Sequence, residues 1–278
     1  MKQRILVAII GVPALIGVLC FAPDWATAVL VAALCVIGCH EFMAAAAPEK
    51  AAHWWGLAAT LAVFTVFTVY FSGGDFTGTA IHTIMVWLLA ALIVVMFIAA
   101  VQAFGKDDEL DFPDISAMAV SGLVIPLALG CLVRLRMLEY GAGLVLLPLV
   151  SAFMSDSLAL FGGMLFGKTK LAPRVSPKKT REGAVSGLVG GMVGMILFRI
   201  FFFLCTEVQL HIGWCVLLGL VGAVLGQLGD LSFSCVKRQC GIKDYGRLLP
   251  GHGGVLDRFD SVLFAAPVLC ALLRALAA

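Results

Sequence analysis

Two polar segments interrupt an otherwise apolar chain of 278 residues, and their side chains limit the chemistry it can perform. The longer runs Gly229-Asp230-Leu231-Ser232-Phe233-Ser234-Cys235-Val236-Lys237-Arg238, then Lys243-Asp244, then Pro250-Gly251-His252-Gly253-Gly254-Val255-Leu256-Asp257-Arg258-Phe259-Asp260. If the apolar run before it continues as a helix, Asp230, Ser234 and Lys237 fall at i, i+4 and i+7, lining one wall with a carboxylate, a hydroxyl and an ammonium. Gly251, Gly253 and Gly254 around His252 let backbone approach a ligand closely, and their amides could cradle phosphate. Asp257 and Asp260, at i and i+3, share a helix face. Hard oxygen ligands from Asp230, Asp257 and Asp260 suit Mg²⁺, which takes a few carboxylates while substrate phosphates complete its octahedron. Carboxylates, cations and glycine loops together are the equipment of phosphoryl or nucleotidyl transfer, where positioning and charge neutralisation carry the catalysis. A salt-bridge network of these carboxylates with Arg238, Lys243 and Arg258 is the plainer alternative. It explains the charges but not the glycines.

The second segment lies upstream: Asp156, Gly162-Gly163, Phe166-Gly167-Lys168, and Ser176-Pro177-Lys178-Lys179-Thr180-Arg181-Glu182-Gly183. Two adjacent lysines after a rigid Ser-Pro, leading into a helix that starts near Gly183, present charge and helix-terminal N–H groups to an anion such as a triphosphate. The alternative is an ordinary polybasic loop attracted to anionic lipid, worth about 1 kcal/mol per cation.

The elements that must position these groups lie in a bilayer. The chain is 62% hydrophobic and 13% charged, with a mean hydropathy of +1.05, whereas soluble domains average about half apolar and about a quarter charged. Apolar runs near the ~20 residues needed to cross a membrane recur throughout. They predict an all-α, polytopic membrane protein with about nine transmembrane helices, at 5–22, 26–46, 54–72, 82–102, 116–133, 142–165, 183–205, 212–232 and 259–277. The start, Met1-Lys2-Gln3-Arg4 before an apolar run, has no A-x-A cleavage pattern after it and reads as a retained first helix. With the N-terminus in the cytoplasm, loops 166–182 and 233–258 carry most of the cations, and the other side has chiefly Arg134 and Arg136, as the positive-inside rule requires.

Residues 1–115 read as a transmembrane scaffold and residues 116–278 as the catalytic region. One ionisable residue stands out in the scaffold: Glu41, in or at the end of the second span, where a charge is costly. The acidic stretch Lys106 to Asp111 reads as a solvated loop. Most of the nine cysteines lie in or beside apolar runs as small hydrophobes, and Cys235 and Cys240 lack C-x-x-C spacing. The net charge of +2 sits in short loops rather than on one soluble face, which argues against nucleic acid as a partner.

At the two polar segments the sequence resembles the phosphatidate cytidylyltransferases (CDP-diacylglycerol synthases). Their signature of S-x-hydrophobic-K-R, K-D, a small residue, L-P-x-H-G-G and D-R-x-D is filled by Ser234, Lys237, Arg238, Lys243, Asp244, Gly246, Leu249, Pro250, His252, Gly253, Gly254, Asp257, Arg258 and Asp260. The upstream segment departs from the family pattern, with Leu160 in place of the usual Tyr and Met164 of the usual Arg, and in the longer segment Phe233 stands before the signature serine where many members carry Glu. The resemblance implies transfer of the cytidylyl group of CTP to phosphatidate, giving CDP-diacylglycerol and pyrophosphate at the cytoplasmic face of a bacterial inner membrane. It implies Asp230 and Asp257 as principal Mg²⁺ ligands with Asp260 beside them, and leaves open a second cation and a homodimer. It further implies that Lys178, Lys179, Lys237 and Arg238 hold phosphates, that Ser176 and Ser234 add hydroxyl contacts, and that His252 is a phosphate or backbone partner rather than a base. Asp156, Lys243, Gly253, Gly254 and Arg258 complete the expected substrate site. Two rivals share parts of this pattern. A lipid or polyprenol kinase would use the same metal and basic loop, and a transporter would place ionisable groups deep in several spans, for which Arg199 is the main candidate.

Overall fold

The computed structural model describes residues 2–106, 109–246, 248 and 253–277. It is helical but for one small hairpin. Eleven α-helices follow in order: α1 (Lys2–Phe21), α2 (Asp24–Ala46), α3 (Pro48–Phe71), α4 (Ala80–Ala103), α5 (Phe112–Ala119), α6 (Ile125–Arg136), α7 (Gly141–Leu144), α8 (Leu147–Phe166), α9 (Arg181–Thr206), α10 (Ile212–Gln239) and α11 (Leu256–Ala277). Strands β1 (Lys170–Ala172) and β2 (Ser176–Thr180) pair antiparallel between α8 and α9, with Lys170 opposite Thr180 and Ala172 opposite Ser176. Among the described residues, seven helical segments are long and apolar enough to cross a bilayer: α2, α3, α4, α5 with α6, α7 with α8, α9 and α10. This is an integral membrane protein of the all-α class.

The chain packs as two compact units, residues 1–139 with 244–258, and residues 140–243 with 259–278. In the first, α2, α3 and α6 form the core, and α4 runs along α3 with only 11% of its most apolar stretch buried, which leaves Trp87 and Val101 for lipid. A π-helical turn, Val120–Val124, joins α5 to α6. Pro126 has no N–H to offer the carbonyl of Gly122 four residues earlier, and the hydroxyl of Thr65 on α3 donates to that carbonyl at 3.0 Å. Arg134 and Arg136, the two cations expected on the far side, are held by helix ends: Arg134 Nη2 donates to Ser72 O (3.0 Å) after α3, and Arg136 Nη2 to Ala22 O (2.8 Å) after α1.

The second unit is built on α8, α9 and α10, which meet along small residues. Gly191 on α9 and Gly219 on α10 are in such close contact that a Cβ on either would lie 2.5 Å from the other's carbonyl oxygen. Close backbone approach of this kind is how membrane helices pack without a hydrophobic driving force between them. Arg199 donates from Nε to Leu210 O at 2.6 Å and so secures the α9–α10 connection. The segment 166–182, expected as a loop, instead forms the β1–β2 hairpin. Its alternation is hidden by Ser-Pro-Lys-Lys-Thr, which has no apolar face. The helix expected near Gly183 begins at Arg181, where the Thr180 hydroxyl caps it by accepting from Gly183 N at 3.1 Å.

Candidate active site

In the second unit α10 is one continuous helix through Gln239, so Asp230, Ser234 and Lys237 do share a face. Ser234 Oγ donates to Asp230 Oδ1 at 3.2 Å. The other oxygen of Asp230 takes Lys179, whose Nζ reaches from β2 to within 2.5 Å of Oδ2. The hairpin is what brings this lysine to α10: pairing of β1 with β2 fixes Lys179 just before the α9 cap. Glu182, in the first turn of α9, holds the strand's entry by accepting from Lys168 N and Thr169 N.

Below these groups Lys237 Nζ stands 3.9 Å from Asp260 Oδ2 on α11. Asp260 Oδ1 accepts from Ser261 N at 2.8 Å, and the Ser261 hydroxyl lies 3.2 Å from Asp156 Oδ2 and 3.4 Å from Asp260 Oδ1, sharing one proton between two carboxylates. Gly229 allows this approach of α10 to α11, since a Cβ there would lie 2.5 Å from Asp260 O. Beside the cluster, Gln227 Nε2 donates to Ser155 Oγ (3.3 Å) and Ala184 O (3.0 Å), tying α10 to α8 and α9.

Ser234, Lys237 and Asp260 are each more than nine-tenths buried. Burying charge costs several kcal/mol per ion unless partners compensate, and replacing such a network with apolar residues is often stabilising. Its presence therefore points to chemistry rather than to stability. The cluster also carries an excess of negative charge, with Asp156, Asp230 and Asp260 against Lys179 and Lys237, and Asp260 feels the charges of Asp156, Asp230 and Lys237. That donor set suits a hard divalent cation. Among the described residues no three His, Cys, Asp or Glu side chains converge closely enough to enclose a metal by themselves, so Asp230, Asp257 and Asp260 do not form such a group.

The remaining expected residues are placed as follows. Lys178, Lys243 and Arg258 are exposed, and Ser176 is half-buried at the start of β2. Arg238 donates to the carbonyls of Val175 (3.2 Å) and Ile242 (3.1 Å), bracing the hairpin turn and the end of α10. His252 lies outside the described residues, as do Arg247, Leu249, Pro250 and Gly251. Leu160 and Met164 follow Asp156 at successive turns of α8 and are 61% and 64% exposed, while Phe233 is buried.

In the first unit, the backbone amides of Tyr245 and of Gly254 to Leu256 close around two buried carboxylates. Asp257 Oδ2 accepts from Tyr245 N (2.9 Å) and Gly254 N (3.0 Å). Glu41, from α2, accepts from Val255 N (3.0 Å) and Leu256 N (2.9 Å). Gly253 has φ +86°, a left-handed conformation that glycine adopts without strain. Asp257 thus opens α11 and holds Tyr245 and Gly254, while Asp260 one turn later belongs to the lysine–aspartate cluster. Ser261, Ser155 and Gln227 were not singled out by sequence reasoning. The one available signal was their adjacency to Asp260, Asp156 and Gly226-Gly229 in otherwise apolar helices.

Against known proteins, residues 2–276 match the model of the cytidylyltransferase family. A phosphatidate cytidylyltransferase of Pseudomonas aeruginosa is 34% identical over 280 residues, covering 99% of this chain and 97% of the relative. That of Haemophilus influenzae is 30% identical over 283 residues, covering 96% of each chain. That of Bacillus subtilis is 33% identical over 199 residues, covering 71% of each.

Proposed function

This chain belongs to the cytidylyltransferase family, and from that premise we propose that it transfers the cytidylyl group of CTP to phosphatidate, in phospholipid biosynthesis. An oxygen of the phosphatidate phosphate attacks the α-phosphorus of CTP. The new P–O bond gives CDP-diacylglycerol, and cleavage of the α–β bridge releases pyrophosphate. The observation that carries the reading is the Lys179–Asp230–Ser234 and Lys237–Asp260 cluster at the meeting of α10, α11 and the hairpin, in which Lys179 and Asp230 are half-buried and Ser234, Lys237 and Asp260 buried.

Phosphatidate is largely ionised near neutral pH, so the attacking oxygen needs no strong base and the protein's task is to hold phosphates and neutralise charge. Lys178, Lys179, Lys237 and Arg238 supply positive charge to the phosphates, and Ser176 and Ser234 supply hydroxyl contacts. Asp230 and Asp260 would hold Mg²⁺, with Asp257 as the further ligand that the signature implies. A bound divalent ion supplies neutralisation of the triphosphate and of the leaving pyrophosphate. Residues 116–278 carry this chemistry and residues 1–115 support it. The placement of cations in 166–182 and 233–258 supports a site at the cytoplasmic face of the inner membrane, with α1 and α11 spanning as well to make nine crossings.

The test is release of pyrophosphate by the purified protein in mixed micelles with phosphatidate, Mg²⁺ and each nucleoside triphosphate. Release that requires both CTP and lipid, and that falls about 100-fold or more in Asp230→Asn and Asp257→Asn, is the expected outcome. Release of a nucleoside diphosphate instead would make the protein a lipid kinase. No product from folded protein would remove the enzymatic reading.

A further inference from the structure

Glu41 has no part in the signature, lies in the scaffold half of the chain and is 95% shielded, with a relative exposure of 5%. A carboxylate in that position is expensive unless something satisfies it. What satisfies it is the backbone of a segment more than two hundred residues away: one oxygen takes Val255 N and the other Leu256 N, at 3.0 and 2.9 Å. These are among the N–H groups at the start of α11 that no helical carbonyl can reach, and a negative charge there also meets the positive end of the helix dipole.

The fit is built from both sides. Gly38, Glu41 and Phe42 fall at i, i+3 and i+4 on α2, and each meets a residue near the start of α11 or Tyr245: Gly38 lies toward Leu256, Glu41 holds Val255 and Leu256, and Phe42 stacks on Tyr245 with ring centroids 5.9 Å apart. On the loop, Gly246 and Gly254 leave the room that the carboxylate fills, for a Cβ on either would come within 2.6 Å of a Glu41 oxygen. Gly254 N in turn donates to Asp257, so Glu41 and Asp257 grip successive amides, 254 to 256, of one turn.

We infer that Glu41 is a positioning residue for the transfer reaction: it fixes the N-terminus of α11 and the turn at Gly254–Leu256 so that Asp257 is presented in one orientation. This rests on the function proposed above. The effect of Glu41 on the reaction runs entirely through the loop amides.

The experiment measures kcat and KM for CTP per folded molecule, with the folded fraction taken from the monodisperse size-exclusion peak, in wild type, Glu41→Gln, Glu41→Ala, Gly254→Ala and the Glu41→Ala/Gly254→Ala pair. Glutamine keeps one acceptor but turns an NH₂ toward the second amide. The expected result for Glu41→Gln is a kcat lower by about 10- to 100-fold, the range seen when a partner that orients a ligating group is lost, with KM for CTP changed by less than about threefold. Gly254→Ala is expected to be severe alone and milder once Glu41 is alanine, because its methyl then enters the space the carboxylate held. Wild-type kcat in folded Glu41→Gln, or strictly additive losses in the pair, would overturn the role of Glu41. Absence of cytidylyl transfer by wild type would instead overturn the function on which it rests.

Discussion

Lys179 serves two partners in the proposed reaction. In the structure its ammonium sits against Asp230, where a divalent cation would also bind, and the reaction asks it to hold phosphate. Removing its charge therefore has opposite effects on the two ligands. In Lys179→Met the carboxylate of Asp230 loses its compensating cation, so Mn²⁺ binding without nucleotide, read by electron paramagnetic resonance, should tighten several-fold. KM for CTP should rise by about tenfold, one charge-assisted contact to phosphate being worth roughly 1.5–3 kcal/mol. Weaker Mn²⁺ binding in the variant would mean that Lys179 helps to organise the cation site rather than competing for it. Asp230, Ser234 and Lys237 were legible in the sequence because helical periodicity converts their spacing directly into a shared face. The pairing of Lys179 with Asp230 was not, since it depends on a hairpin that the polar strand Ser176–Thr180 does not announce. Glu41 was legible as a cost but not as a contact: its partners are backbone amides, which every residue possesses and no sequence pattern marks.

At the scale of elements, the join of α5 and α6 shows how one residue type creates a need that another helix meets. Pro126 withholds an N–H from Gly122 O, and Thr65 supplies a hydroxyl. Thr65 and Gly122 are both buried. Thr65→Val keeps shape and removes the donor, so it should lower stability by about 1–3 kcal/mol, the cost of a buried acceptor losing its partner. Thermal unfolding in detergent should show a lower midpoint, and the shift should shrink when Pro126→Ala returns a backbone donor to the turn. Equal shifts in both backgrounds would show that the hydroxyl contributes packing alone. Hydropathy could find this span but not its defect, because a π-turn leaves the apolar run uninterrupted and only the proline hints at it.

At the scale of the molecule, the proposed orientation rests on where cations lie. Arg134 and Arg136 hold carbonyls at the ends of α3 and α1, where helix dipoles favour positive charge, so their position follows from helix ends and does not oppose the positive-inside reading. If the hairpin faces the cytoplasm, the turn after α3 and the link between α9 and α10 face the other way. In a background without the native cysteines, Lys178→Cys should react with an impermeant maleimide only in inside-out vesicles. Thr77→Cys and Val208→Cys should react only in right-side-out vesicles. The termini then decide the number of crossings, because α1 and α11 are the two long helices outside the set of seven. With both of them spanning, a tag at the N-terminus lies on the hairpin's side and one at the C-terminus on the opposite side. With neither spanning, the two tags exchange sides. The nine-crossing arrangement carries α11 outward through the bilayer from Asp257, at its first turn. The seven-crossing arrangement would instead lay α11 along the surface and expose its apolar residues to water. Burial of Val262, Leu263, Ala265, Ala266 and Leu269 at 4% exposure or less removes one face of the helix from either solvent, so the tags decide whether the remaining face meets lipid or water.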